Sequence, residues 1–190
     1  LSQSEIIYLV LIMIATAIPA GFAAGLFGIG GGLVTVPILF YIFSFSGIET
    51  AYVMHLAVGT SFGIIIPTST VSVLTHHQHK AVDFSIVKGF GFFVATGVIL
   101  GTIFAASLET KPLILFFTII VYVLAFYLLF LKEKETNIEI KIGLFSKAIS
   151  GIVSGFISAP MGIGGAVMNV PILKFFGYPI NKAIGSAAAI

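Results

Sequence analysis

The 190-residue chain is 58% hydrophobic and only 8% charged, with a formal net charge of +2 and a mean hydropathy of +1.18. Soluble domains carry about 25% charged residues, so this composition excludes one and points to an integral membrane protein. The chain has no cysteine, which excludes disulfides and thiol chemistry, and its basic residues, all lysines, form no dense cluster of the kind that binds nucleic acid or a polyanionic headgroup.

Residues 6–27 are one apolar segment carrying Pro19, without the basic flank of a removable signal peptide and flowing directly into the glycine block, so a retained first helix is predicted. It runs into glycines, where helix is poorly favoured, and should break near Gly28. Residues 29–45, with Pro37 inside, are short enough to be a thin or kinked span or a re-entrant piece. Residues 51–75 are expected to span. Their polar members, His55, Thr60, Ser61, Thr68, Ser69 and Thr70 beside Pro67, predict a face that looks into protein or a cavity. A polar turn, HHQHKAVD at 76–83, precedes the uncharged run 89–108. Residues 109–111 then form a tight turn, and Pro112 opens a second uncharged run ending at Leu131. As a helix, each of these two runs covers a hydrocarbon core of about 30 Å.

Residues 132–142, KEKETNIEIKI, are the only long charged stretch, and they separate two related halves. GFAAGLFGIGGGLVTVPIL at 21–39 returns as GFISAPMGIGGAVMNVPIL at 155–173. The matches include Gly28/Gly162, Gly30/Gly164, Gly31/Gly165, Val36/Val170, Pro37/Pro171 and Leu39/Leu173. The expected organisation is a first transmembrane repeat over 1–131, a charged cytoplasmic linker over 132–144 and a second repeat over 145–190. AIGSA at 183–187 resembles AVGTS at 57–61, where the first repeat continues well past the motif, so a C-terminally shortened second repeat is expected. The fold class is therefore all-α: a polytopic bundle of two sequence-related repeats with helices broken at glycine-rich motifs. Parity bears on orientation. If 29–45 crosses, the first repeat has five crossings and the second is inverted, which leaves only Lys111 among the lysines outside. If 29–45 is re-entrant, Lys174 and Lys182 move outside as well. Inverted repeats with an outward N-terminus are expected.

A glycine run at a helix break exposes backbone N–H groups that lipid cannot satisfy. Where a helix restarts, those groups and the dipole form an anion position that needs no cationic side chain. Two such starts, one per repeat, are the discontinuous-helix design of many secondary transporters. The candidate binding residues are Gly28, Gly30, Gly31 and Gly32 with Thr35, Thr60 and Ser61 in the first repeat, and Gly162, Gly164, Gly165 and Asn169 in the second. Pro37 and Pro171 are the candidate kinks. The competing role for glycine is close helix packing, which Gly97-xxx-Gly101 and Gly151-xxx-Gly155 also fit. Three glycines in succession at 30–32 exceed what a packing stripe needs. Hydroxyls in membrane helices, for their part, often bond their own i−4 carbonyl.

His76, His77 and His79 lack carboxylate or thiolate company and are read as solvated, so no metal is expected. His55 is read as interfacial or packing, with a proton relay as the alternative. No Gly-Lys-Ser/Thr, no dinucleotide fingerprint and no acidic pair within a span is present, so neither an enzyme nor a cofactor is expected.

The doubled Gly-x-Gly-Gly block before Val-Pro-x-Leu, with Gly-Thr-Ser at 59–61, resembles the sulfite exporter TauE/SafE family of membrane permeases. The likeness touches Gly28, Gly30, Gly31, Pro37, Thr60 and Ser61, and Gly162, Gly164, Gly165 and Pro171. It departs at Ala166, where the first repeat has Gly32, and at Ser186 and Ala187. The resemblance implies a multi-pass protein of the cytoplasmic membrane moving a sulfur-containing anion such as sulfite or an organosulfonate. Its partners would be the lipid bilayer, the small anion and a coupling proton or sodium ion. A passive anion channel and a non-transporting scaffold for a sulfur-metabolism enzyme are the alternatives.

Overall fold

The computed structural model describes residues 3–27, 31–130 and 143–190. These form α-helices throughout: α1 Gln3–Phe27, α2 Gly32–Phe45, α3 Val53–Gln78, α4 Phe84–Ser107, α5 Thr110–Phe130, α6 Leu144–Met161, α7 Ala166–Phe175 and α8 Ile180–Ala189. Most of the charged linker lies outside the described residues, and Leu144 already opens α6. Helices α3, α4, α5 and α6 are each long and apolar enough to cross a membrane. The 14 residues of α2 and the 10 of α7 extend only about 21 and 15 Å, less than the hydrocarbon core, so both are half-length helices that cross only as thin spans.

Polarity is inside out relative to a soluble protein. Ile18, Phe22 and Leu129 are more than 70% exposed, whereas Ser61, Ser154 and Ser186 are fully covered. Lipid tails are as apolar as a protein core, so outward leucine costs nothing and inward polar groups must find partners. This corrects one expectation for α3. Thr68 and Thr70 lie on its exposed side and donate to Ile64 O at 2.9 Å and Ile66 O at 2.7 Å, and Ser69 donates to Ile66 O at 3.2 Å. Back-bonding satisfies a hydroxyl where no cavity is offered. A second correction concerns the turn at 76–83. Helix α3 runs on through His76 and His77 to Gln78, and the chain turns only at Lys80, whose φ is 55°. Asp83 then caps α4 by accepting from Ser85 N at 2.9 Å.

Helices α4 and α6 lie against each other and point the same way. A methyl on Gly97 would sit 2.2 Å from Ile152 O, one on Gly101 2.5 Å from Phe156 O and one on Gly155 2.1 Å from Val94 O. Backbone-to-backbone approach of this kind needs glycine, so the small-residue spacing here is a packing seam.

Each half-helix folds back on the helix that follows it. The α2–α3 turn lies where α4 ends, since the Thr110 hydroxyl donates to Ala51 O at 2.5 Å. The α7–α8 turn lies at the other end of α4. There Leu173 and Ala183 pack with Ile86 and Phe90, Asp83 N donates to Ser186 Oγ at 3.0 Å, and Lys182 Nζ stands 3.8 Å from Asp83. The two half-helix hairpins therefore occupy opposite ends of the bundle.

Candidate functional site

The second glycine block forms a defined break between α6 and α7. Gly162 ends α6 with φ +60°, a conformation that penalises any side chain, and its N–H donates to Ala159 O at 3.1 Å. Ile163 N donates to Ser158 O at 3.3 Å, which completes a Schellman closure. Gly32, the first residue of α2, comes up against this break. A methyl on Gly32 would lie 2.2 Å from Gly162 O and 2.6 Å from Ile163 Cα. Helix α2 and the α6–α7 break thus meet backbone to backbone, and the room at Gly32 and Gly162 is filled by protein.

Side chains tie the meeting point together. The Ser61 hydroxyl donates to Gly162 O at 2.7 Å, and Thr35 Oγ1 lies 3.1 Å from Ser61 Oγ. A hydroxyl has one hydrogen, and that of Ser61 is committed to a carbonyl, so Thr35 is the donor to Ser61. The chain Thr35 to Ser61 to Gly162 therefore links α2, α3 and the second break. Gly31 has open space around it. Thr60 is half-buried and outside this chain, and Pro37 and Pro171 lie inside α2 and α7. Gly28 and Gly30 lie outside the described residues.

At the start of α7 the polar groups are free. The first bond of that helix is Asn169 N to Gly165 O at 2.8 Å, so helix geometry leaves Ala166, Val167 and Met168 N–H without an acceptor in the helix. Asn169 is 97% buried; its Oδ1 accepts from Ser154 Oγ at 2.5 Å, while its Nδ2 is buried with no partner. That nitrogen lies back along the helix, 2.6 Å from where a methyl on Gly165 would be, while Gly164 faces only the Ile65 methyl groups. Ser158 Oγ is likewise buried without a partner, one turn nearer the break than Ser154. Ser154 and Ser158 were not singled out in the sequence. The available signal was their i, i+4 spacing in an apolar helix where the first repeat has Ala20 and Ala24. Lys174 in the last turn of α7 complements the opposite pole of the dipole.

His77 and His79 are exposed, and no group of three His, Cys, Asp or Glu side chains among the described residues could hold a metal ion.

Fold and composition together define a multi-pass α-helical membrane protein. The chain belongs to the family described as sulfite exporter TauE/SafE, which matches residues 13–190. It is 34% identical over 169 residues to a probable membrane transporter protein of Haemophilus influenzae, covering 89% of this chain and 64% of that one. A probable membrane transporter protein of Methanocaldococcus jannaschii is 28% identical over 191 residues, covering 99% and 70%. One of Bacillus subtilis is 25% identical over 205 residues, covering 94% and 72%. The chain spans about two thirds of the length of these relatives. No solved structure matches.

Proposed function

We propose that this chain belongs to a secondary transporter that moves a small sulfur-containing oxyanion, of the sulfite or organosulfonate class, across the cytoplasmic membrane by alternating access. The observation that carries the reading is the unpartnered, buried Asn169 amide at the start of α7. A polar group with no partner in a dry interior costs about 1–3 kcal/mol, which an incoming acceptor oxygen removes. With the Ser158 hydroxyl, which can donate, and the first N–H groups of α7, it offers hydrogen-bond donors that complement an anion whose oxygens accept. The sulfur class follows the family description, and the relatives' names supply transport.

Inverted repeats belong to the same proposal. They are supported by the placing of the two half-helix hairpins at opposite ends of α4 and by the lysine distribution. The repeat-one glycines Gly28, Gly30 and Gly31 would serve the symmetric position, and Gly32 and Gly162 the close approach that joins the two.

The test is a flux screen of the full-length protein in proteoliposomes against sulfite, thiosulfate, sulfate and taurine-like sulfonates. Asn169→Ala removes one hydrogen bond to a charged group, about 1.5–3 kcal/mol, so binding of the transported anion should weaken roughly 10- to 100-fold. Gly165→Ala, which would displace the amide, should do at least as much. Parental affinity and rate in both folded variants would dismiss the site.

A further inference from the structure

We propose that His55 is the proton-binding group of this protein, holding the coupling proton at Nδ1 in an apolar crevice directly behind the second helix break. This rests on the transport reading and names its coupling ion.

The ring's tautomer follows from its surroundings. His55 Nε2 lies 3.2 Å from Ala105 O, and a carbonyl can only accept, so Nε2 carries the hydrogen and Nδ1 offers a bare lone pair. Nδ1 is buried and has no partner. The ring lines a crevice of about 170 Å³ between α3, α4, α5 and α6, with Val58, Thr102, Leu113 and Ala159 each contributing one wall. Thr102 is the one wall residue with a side-chain hydroxyl, and that hydroxyl already donates to Val98 O at 2.8 Å. No wall residue other than His55 is titratable. The ionisable residues described at this end include Glu49, Tyr52, Glu109 and Lys111, all exposed.

A sodium ion needs several oxygen ligands, whereas a lone imidazole nitrogen in apolar walls meets the needs of one proton. The step is a simple transfer: the Nδ1 lone pair takes a proton from the water on one side and returns it on the other, and no other bond changes.

The crevice shares its walls with the break. Val58 Cα would stand 3.1 Å from a methyl on Gly162, and Ala159, whose side chain lines the crevice, accepts the Gly162 N–H at 3.1 Å. The donors at the start of α7 are neutral, so an anion held there in low dielectric lacks a counter-charge. An imidazolium on the other side of Val58 supplies one, and binding of each ion then favours the other reciprocally.

The experiment uses full-length protein in proteoliposomes with ³⁵S-sulfite. The parent should accumulate sulfite on an imposed pH gradient. His55→Gln should lose that accumulation by about tenfold or more and bind sulfite more weakly, while sulfite/sulfite exchange persists at saturating sulfite. Gradient-driven accumulation undiminished in His55→Gln overturns the proposal. If the variant loses exchange as well, ¹⁵N-histidine NMR of the parent decides: sulfite should convert one neutral ring to imidazolium, and a ring that stays neutral with sulfite bound overturns the proposal. A parent that exchanges sulfite with no response to the gradient refutes the proton alone. A parent that neither binds nor exchanges sulfite refutes the transport reading and, with it, this inference.

Discussion

Thr68 and Ser61 lie on one helix, two turns apart, with the same hydroxyl chemistry and different fates. Thr68 bonds its own Ile64 carbonyl, while Ser61 reaches across to Gly162 O and receives Thr35. A hydroxyl in lipid takes whichever acceptor is nearest, so the choice depends on a neighbour that local sequence does not specify. Ser61→Ala removes both links and should lower stability by about 1–2 kcal/mol; Thr35→Val removes one donor and should cost less than half of that. Thermal unfolding in detergent measures the order, and equal losses would contradict the direction of donation. Gly162→Ala should cost at least about 1–2 kcal/mol, since its φ of +60° is left-handed and Val58 backbone closes the space.

Among helices, the same contrast governs glycine. Gly155→Ala would drive a methyl into Val94 O, and Gly97→Ala one into Ile152 O, so each should lose about 1–3 kcal/mol of packing by forcing α4 and α6 apart. Gly63→Ala and Gly91→Ala meet nothing within 4 Å and should gain up to about 1 kcal/mol from helix propensity. Folded yield and melting temperature report both pairs. The sequence spacing marked Gly97, Gly101, Gly151 and Gly155 as one packing motif without saying which helix each would face. In the second block the glycines divide. Gly162 turns the chain and touches α2 and α3, whereas Gly165 leaves room for the Asn169 amide.

At the scale of the molecule, the hairpin of α2 and α3 at one end and that of α7 and α8 at the other are what two inverted repeats would produce. Placed on an otherwise cysteine-free protein, Lys111→Cys should react with an impermeant thiol reagent from outside, and Lys182→Cys only from inside. Labelling of both from one side would reject inversion. The family match, the helical bundle and its membrane placement were legible beforehand because composition and long uncharged runs report on the solvent, and lipid admits little besides helices.

Residue order alone therefore determined that this chain is a helical membrane protein, where its spans lie to within one or two turns, and that the second glycine block interrupts the helix there. These follow from hydropathy and backbone freedom, both local properties. Tertiary structure decided which side chains meet there. It joined Thr35, Ser61 and Gly162 across α2, α3 and the α6–α7 break, paired Ser154 with Asn169 Oδ1, and left Asn169 Nδ2, the Ser158 hydroxyl and His55 Nδ1 without partners. Thr35 and Asn169 are equivalent in the repeats yet bond differently, because α3 supplies Ser61 to one and α6 supplies Ser154 to the other. Whether a buried polar atom finds a partner depends on the helix packed against it, and that neighbour is set only when the chain closes on itself.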